Sequence, residues 1–279
     1  MASPRPLLLV AATSVALLSC STSKAPQPPK PGTPGFYWLA GQASFKKGDF
    51  AGAAKNLSNV ARSEHENKAA ARLLLTAIYS GQAQGDMEWV AALDAGLKVA
   101  RTRQLEFRRL ISAARSSAHQ NAMQCGEQGH TFMGTVSADE VTLSCGIPDI
   151  ARDTPSELEK IEKGALPQPT EVEQIHSQML NRGVLLSLAR LTGGGDVEKA
   201  KSAFAAGPVK LSRQQLQMYL AGEFVLAADL YTSKKLDMAG RLKVMCDEAT
   251  EALASVPPSP ERAKLEKKIA ELMKPAPKT

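Results

Sequence analysis

From Phe36 to Met123 the apolar residues recur every three or four positions, the period of a helix with one buried face. This fixes how the first third of the chain can fold. Tyr37, Ala40, Gly41, Ser44 and Phe45 share one face of a first predicted helix. Gly48-Asp49 interrupts the pattern, and Asp49 is placed to cap a second helix that buries Phe50, Ala53, Ala54, Leu57, Val60 and Ala61. The small residues Ala40, Gly41, Ala53 and Ala54 let two antiparallel helices approach closely. Aromatic residues make up only 5% of the chain, and the dominance of alanine and leucine suits closely packed helices.

A second helix pair is predicted near residues 69–80 and 87–100, separated by Gly85-Asp86. A third long helix follows, with Phe107, Leu110, Ile111, Ala114 and Ala118 on one face. Ala40-Gly41, Phe45, Gly48-Asp49-Phe50, Ala53, Leu57 and Val60 resemble a tetratricopeptide repeat, a family whose helix pairs stack into a solenoid. Ser44 stands where that family usually has an aromatic residue, and the terminal proline is missing. The two Gly-Asp turns are 37 residues apart, against about 34 in the family. The resemblance implies an all-α, TPR-like solenoid of antiparallel helix pairs, beginning with repeats over 36–123. It also makes Tyr37, Gln42, Phe45, Arg72 and Tyr79 candidates for an inner groove that binds a partner.

Residues 151–274 continue the helical array. Thr154-Pro-Ser-Glu157, Thr170-Glu-Val-Glu173 and Ser212-Arg-Gln-Gln215 read as capping boxes, the last with Leu211 and Leu216 as a hydrophobic staple. Helices are therefore expected to begin near 155, 171 and 213, and near 260 from Ser259-Pro260. Asp196 caps a short helix burying Val197, Ala200 and Phe204. Leu242, Met245, Cys246, Ala249 and Leu253 form another apolar stripe. Residues 275–279 are a tail.

The N-terminus fixes the compartment. Arg5 precedes an apolar run from Leu7 to Leu18, which at about a dozen residues is too short to span a bilayer. A charged start, a short apolar core and a small residue before the cleavage point make residues 1–19 a secretory signal. Leu17-Leu18-Ser19-Cys20 resembles the lipobox of bacterial lipoproteins, and this implies that Cys20 is acylated and becomes the new N-terminus. Ser21 in place of Asp implies, by the same resemblance, sorting to an outer membrane, with the protein facing the periplasm. Two acyl chains suffice for stable anchoring. Residues 20–35, rich in proline, form a semi-extended linker that reaches up to roughly 45 Å at about 3.1 Å per residue.

One segment departs from the helical pattern. Between Cys125 and Cys145, Phe132, Gly134 and Val136 alternate with polar neighbours, as do Val141, Leu143 and Cys145. Residues 124–150 thus read as a β-hairpin insert. In an oxidising compartment a Cys125–Cys145 disulfide would staple it, contributing about 3 kcal/mol by loop closure. The alternative is a metal site with His119, Cys125, His130 and Cys145 as ligands, although their spacing is not a recognised pair-of-pairs pattern. Cys246 lies on an apolar helical face and reads as a buried free thiol.

The net charge of +6 is spread along the chain, and an exported protein without a concentrated basic stripe is not a nucleic-acid binder. His65, in Ser63-Glu64-His65-Glu66, reads as part of a charged turn, and His176 as a partly buried packing residue. Thr192-Gly-Gly-Gly-Asp196 lacks the strand and the Lys-Ser/Thr of a phosphate cradle. No nucleophile elbow, zinc-protease or acylation motif is present. The expectation is a membrane-anchored scaffold, without cofactor or metal and not an enzyme. Similar lipoproteins assist outer-membrane barrels, secretins or motility machinery. The alternatives are an envelope enzyme or ligand-binding protein related to peptidoglycan, with a pocket between the helical halves, and a metal-binding protein built on the cysteine insert.

Overall fold

The computed structural model describes residues 28–136, 138–148, 150 and 153–274; the signal segment, Cys20 and the tail 275–279 lie outside them. The described chain is mostly helical, in agreement with an all-α reading. It begins with an antiparallel pair, α1 (Pro34–Lys46) and α2 (Phe50–Ala61). Asp49 accepts a hydrogen bond from Gly52 N at 2.9 Å, and the six residues expected on the inner face of α2 are all buried. Trp38, absent from the predicted inner face of α1, is buried beside Gly41 and Phe45.

The second predicted pair is overturned. Residues 68–99 form one continuous helix, α3 (Lys68–Val99), about 48 Å long at 1.5 Å per residue. Leu73, Leu74, Leu75, Thr76, Ala77 and Ile78 are consecutively buried, so this stretch of α3 is covered on all sides. It packs against α2, α4 (Gln104–Thr135), α5 (Leu158–Glu162), α6 (Pro169–Gly193) and α8 (Arg213–Leu230). The crossing with α6 is close: a Cβ placed on Gly81 would lie 2.3 Å from Val184 Cα, and one on Gly85 2.5 Å from the Met179 carbonyl oxygen. Two backbones meet there because neither glycine carries a side chain to hold them apart.

The cysteine-bounded hairpin is also overturned. Helix α4 runs on through Cys125 and Phe132 to Thr135, because Cys125, Gly129 and Phe132 continue its buried face at spacings of four and three. Only the second half of the insert is extended, as β1 (Glu140–Leu143). Its antiparallel partner is β2 (Val209–Ser212), with Val141 opposite Leu211 and Leu143 opposite Val209. Cys125 and Cys145 are separate buried thiols, so no disulfide closes this segment.

The remaining elements are α7 (Val197–Ala205), α9 (Ala239–Leu253) and α10 (Pro260–Leu272). Asp196 caps α7 through Glu198 N and Lys199 N, Ser212 and Gln215 form the expected capping box of α8, and Ser259 caps α10. The box expected at Thr170 forms two residues earlier, between Gln168 and Glu171. The helix expected near 155 shrinks to α5, with no side-chain cap. Helix α10 buries none of its residues fully and lies over α8 and α9. No helix among the described residues is long and apolar enough to cross a membrane.

Candidate functional site

The capping of α8 by Ser212 and of α10 by Ser259 brings the first turns of two helices to one rim. Together with the last turns of α6 they enclose an open cleft of about 760 Å³. Gln214, Gln215, Glu261 and Lys264 stand around it, and Met218, Leu191 and Leu265 give it apolar lining. Gly222 is part of its wall, and a Cβ there would meet nothing within 4 Å.

The cleft also touches an interior polar network. Glu223 sits in an otherwise apolar run of α8 and is fully buried. Arg190 of α6 donates from Nε to Glu223 Oε1 at 2.7 Å and from Nη2 to Oε2 at 3.0 Å. Ser80 of α3 donates to Glu223 Oε2. Next to this, Tyr219 and Ser187 share a hydrogen bond of 2.9 Å. Burial alone would lower the Arg190 pKa, but the Glu223 charge and hydrogen bonds outweigh it and raise it. Burial, then the Glu223 charge, pushes the Tyr219 hydroxyl well above its ordinary value, and the same two causes raise the Cys125 thiol. Arg190 therefore stays a cation and Tyr219 a neutral phenol at neutral pH. Both Glu223 oxygens are occupied, so the arrangement orients and holds and offers no free base.

A second buried carboxylate lies in α3. Asp86 accepts from Asn121 Nδ2 at 3.1 Å and pairs with His176 Nε2 at 2.8 Å. The His176 ring stacks on Trp89, with centroids 5.6 Å apart. His176 is thus the half-buried packing residue expected from sequence, with a hydrogen-bonded carboxylate partner that the sequence did not reveal. His65 lies in the turn between α2 and α3, where its Nδ1 accepts from Asn67 N at 3.2 Å.

The five groove candidates do not line the cleft. Phe45 is buried edge-on against Phe50, and Tyr37 lies half-buried beside Phe36. Gln42 donates to Ser144 Oγ at 2.9 Å, and Arg72 is held by Gln128 and by the Ala61 carbonyl. Tyr79 packs half-buried on the main core. Each is engaged separately in inter-element packing.

The proposed metal ligands are likewise dispersed. His119, Cys125 and His130 all lie on α4 at spacings of six and five, which turn their side chains to different directions. His119 meets Tyr231, while His130 meets Glu248. Burial pushes the Cys145 thiol up to about 12, so it stays protonated. Among the described residues, the one group with metal-ligand proximity is His130, Glu248 and Glu251, at the surface.

No family model, curated protein or solved structure matches the chain.

Proposed function

We propose that the protein is a lipid-anchored envelope protein that holds an extended segment of another envelope protein in the cleft between α6, α8 and α10. Tethering through acylated Cys20 to an outer membrane, with the body facing the periplasm, supplies the location. A barrel, a secretin or a motility component supplies the partner. The observation that carries this reading is the cleft itself: it falls within the roughly 300–1,000 Å³ of binding sites and mixes apolar walls with a few polar groups. The fully paired state of Glu223 supports binding over catalysis. The α1–α2 pair, with Gly41 against Leu57 across its seam, supports a tetratricopeptide-like unit at the N-terminus of the array.

A second reading has its own observation. A buried carboxylate beside an arginine at a cleft wall suits a small polar ligand, such as a peptidoglycan-derived muropeptide. A photo-crosslinking side chain at Gln214 in the lipidated protein separates the two. Crosslinking to one envelope protein, lost when Gly222→Phe fills the cleft, supports the partner reading. Saturable muropeptide binding that Gly222→Phe abolishes, without a protein crosslink, supports the ligand reading. A crosslink unaffected by Gly222→Phe overturns the cleft as the site.

A further inference from the structure

Helix α1 is apolar on both sides. Its inner face buries Trp38, Gly41 and Phe45, and its one charged residue is Lys46. The outer face presents Phe36, Leu39 and Ala43, at positions i, i+3 and i+7, all exposed. Phe36 is 37% and Leu39 51% accessible. Single exposed apolar side chains need no explanation. A helix with a second apolar stripe on its solvent side leaves that stripe without a partner.

The charge along the stripe itself is positive. Lys46 and Lys47 continue it at its C-terminal end, Lys24 and Lys30 precede the helix, and the first acidic residue of the whole chain is Asp49. Across the α1 N-terminus, the neighbouring turn holds Glu66 and Glu64, and Glu64 is engaged by Lys68 at 2.7 Å. Aromatic and leucine side chains rimmed by lysines are the composition of a helix that lies in the plane of a bilayer interface, with lysine stems reaching to the headgroups.

We infer that the outer face of α1 docks onto an anionic phospholipid surface, with Phe36 and Leu39 entering the headgroup boundary and Lys46 and Lys47 meeting lipid phosphates. The inference rests on the lipoprotein reading for its source of membrane. Cys20 precedes α1 by 14 residues, a span of at most about 43 Å when extended. A tether of that length keeps the α1 face at high local concentration next to the bilayer. The helix then adds a second contact to the anchor on one surface, and the cleft is presented in a fixed orientation to it.

The test uses the full mature chain with Cys20→Ala, so that no acyl group contributes, and sediments it with vesicles. One set of vesicles is phosphatidylethanolamine with phosphatidylglycerol, the other pure phosphatidylcholine. Sedimentation with the anionic vesicles is expected, weakening with salt. Phe36→Ser with Leu39→Ser should reduce partitioning about tenfold, and Lys46→Glu with Lys47→Glu at least as much on anionic vesicles alone. These four positions are exposed, so unchanged thermal unfolding serves as the folding control. Absence of vesicle binding, or binding that ignores both double variants, overturns the inference. So does self-association abolished by Phe36→Ser with Leu39→Ser, which would assign the stripe to a second copy. Acylation is read separately by palmitate labelling of Cys20 in cells, so failure of the anchor and failure of the α1 face are distinguishable.

Discussion

The dipeptide Gly-Asp occurs twice in the N-terminal half, with opposite outcomes. At Gly48-Asp49 the backbone turns: Gly48 takes φ +75°, and exposed Asp49 caps α2 through Gly52 N. At Gly85-Asp86 the helix runs straight through, and both residues are buried. The difference is what faces each pair. Gly48 looks out onto a loop, whereas Gly85 faces the backbone of α6 and Asp86 faces His176 and Asn121. Glycine supplies a turn in the first case and a close crossing in the second. The aspartate serves as a local cap in one and as a long-range anchor in the other. Local propensity describes the first site; tertiary partners decide the second.

The largest break in this comparison comes from giving each glycine a methyl group. Gly85→Ala must push α6 away from a carbonyl oxygen 2.5 Å from the new Cβ, and a loss of roughly 3 kcal/mol is expected. Gly48→Ala meets only the end of the Ile150 side chain, at 2.9 Å, and a positive φ; it should cost about 1 kcal/mol. Urea unfolding of the two variants measures both. Equal losses would mean that the α3–α6 crossing relaxes easily.

The aspartates give the next contrast. Asp86→Ala strands the His176 imidazole and the Asn121 amide, with an expected loss of about 2 kcal/mol. Asp49→Ala removes one cap hydrogen bond, worth about 1 kcal/mol. Hydrogen exchange along α3 and α2 would locate the two effects. The Asp86→Ala variant should loosen α6 as well as α3, and the Asp49→Ala variant only the first turn of α2.

The same contrast explains how far the sequence was legible. Asp49, Asp196, Ser212 and Ser259 begin their helices as expected because a cap is a contact within three residues. The stripes of α2 and α9 follow from one-face burial. What failed was long-range. Phe132 and Val136 alternate well enough for a strand, but the helical spacing from Cys125 through Gly129 prevailed, and β1 found its partner 70 residues on, from Val141 to Leu211. The cleft shared this limit, since α6, α8 and α10 meet only in the fold. Its signal was still present: Glu223 is the one acid between Met218 and Ala228, in a run otherwise too apolar to be solvated. An isolated charge in such a run implies a buried partner, as Arg190 is.

Gly222 carries the cleft contrast to a smaller scale. It lies within α8, yet nothing stands within 4 Å of a Cβ there, unlike at Gly85. Gly222→Ala should therefore gain helix propensity without a clash, stabilising by up to about 1 kcal/mol. A loss in thermal unfolding would mean that the cleft is narrower than its 760 Å³ implies.

The smallest effect sets a surface histidine–carboxylate pair against the buried one. His130 Nδ1 lies 2.9 Å from Glu248 Oε2, and the imidazole is 61% exposed. The hydrogen bond to Glu248, and then its charge, raises the His130 pKa above the ordinary 6.5. A raised folded-state value means that the pair's contribution is complete below 6.5 and disappears as pH rises through the folded value. Solvent screening limits that contribution to a few tenths of a kcal/mol. His130→Gln should thus lower stability slightly on the acid side of 6.5 and leave it unchanged well above. The measurement is the difference between wild-type and variant unfolding free energies across that range. A difference that stays constant with pH would show that His130 contributes by packing alone.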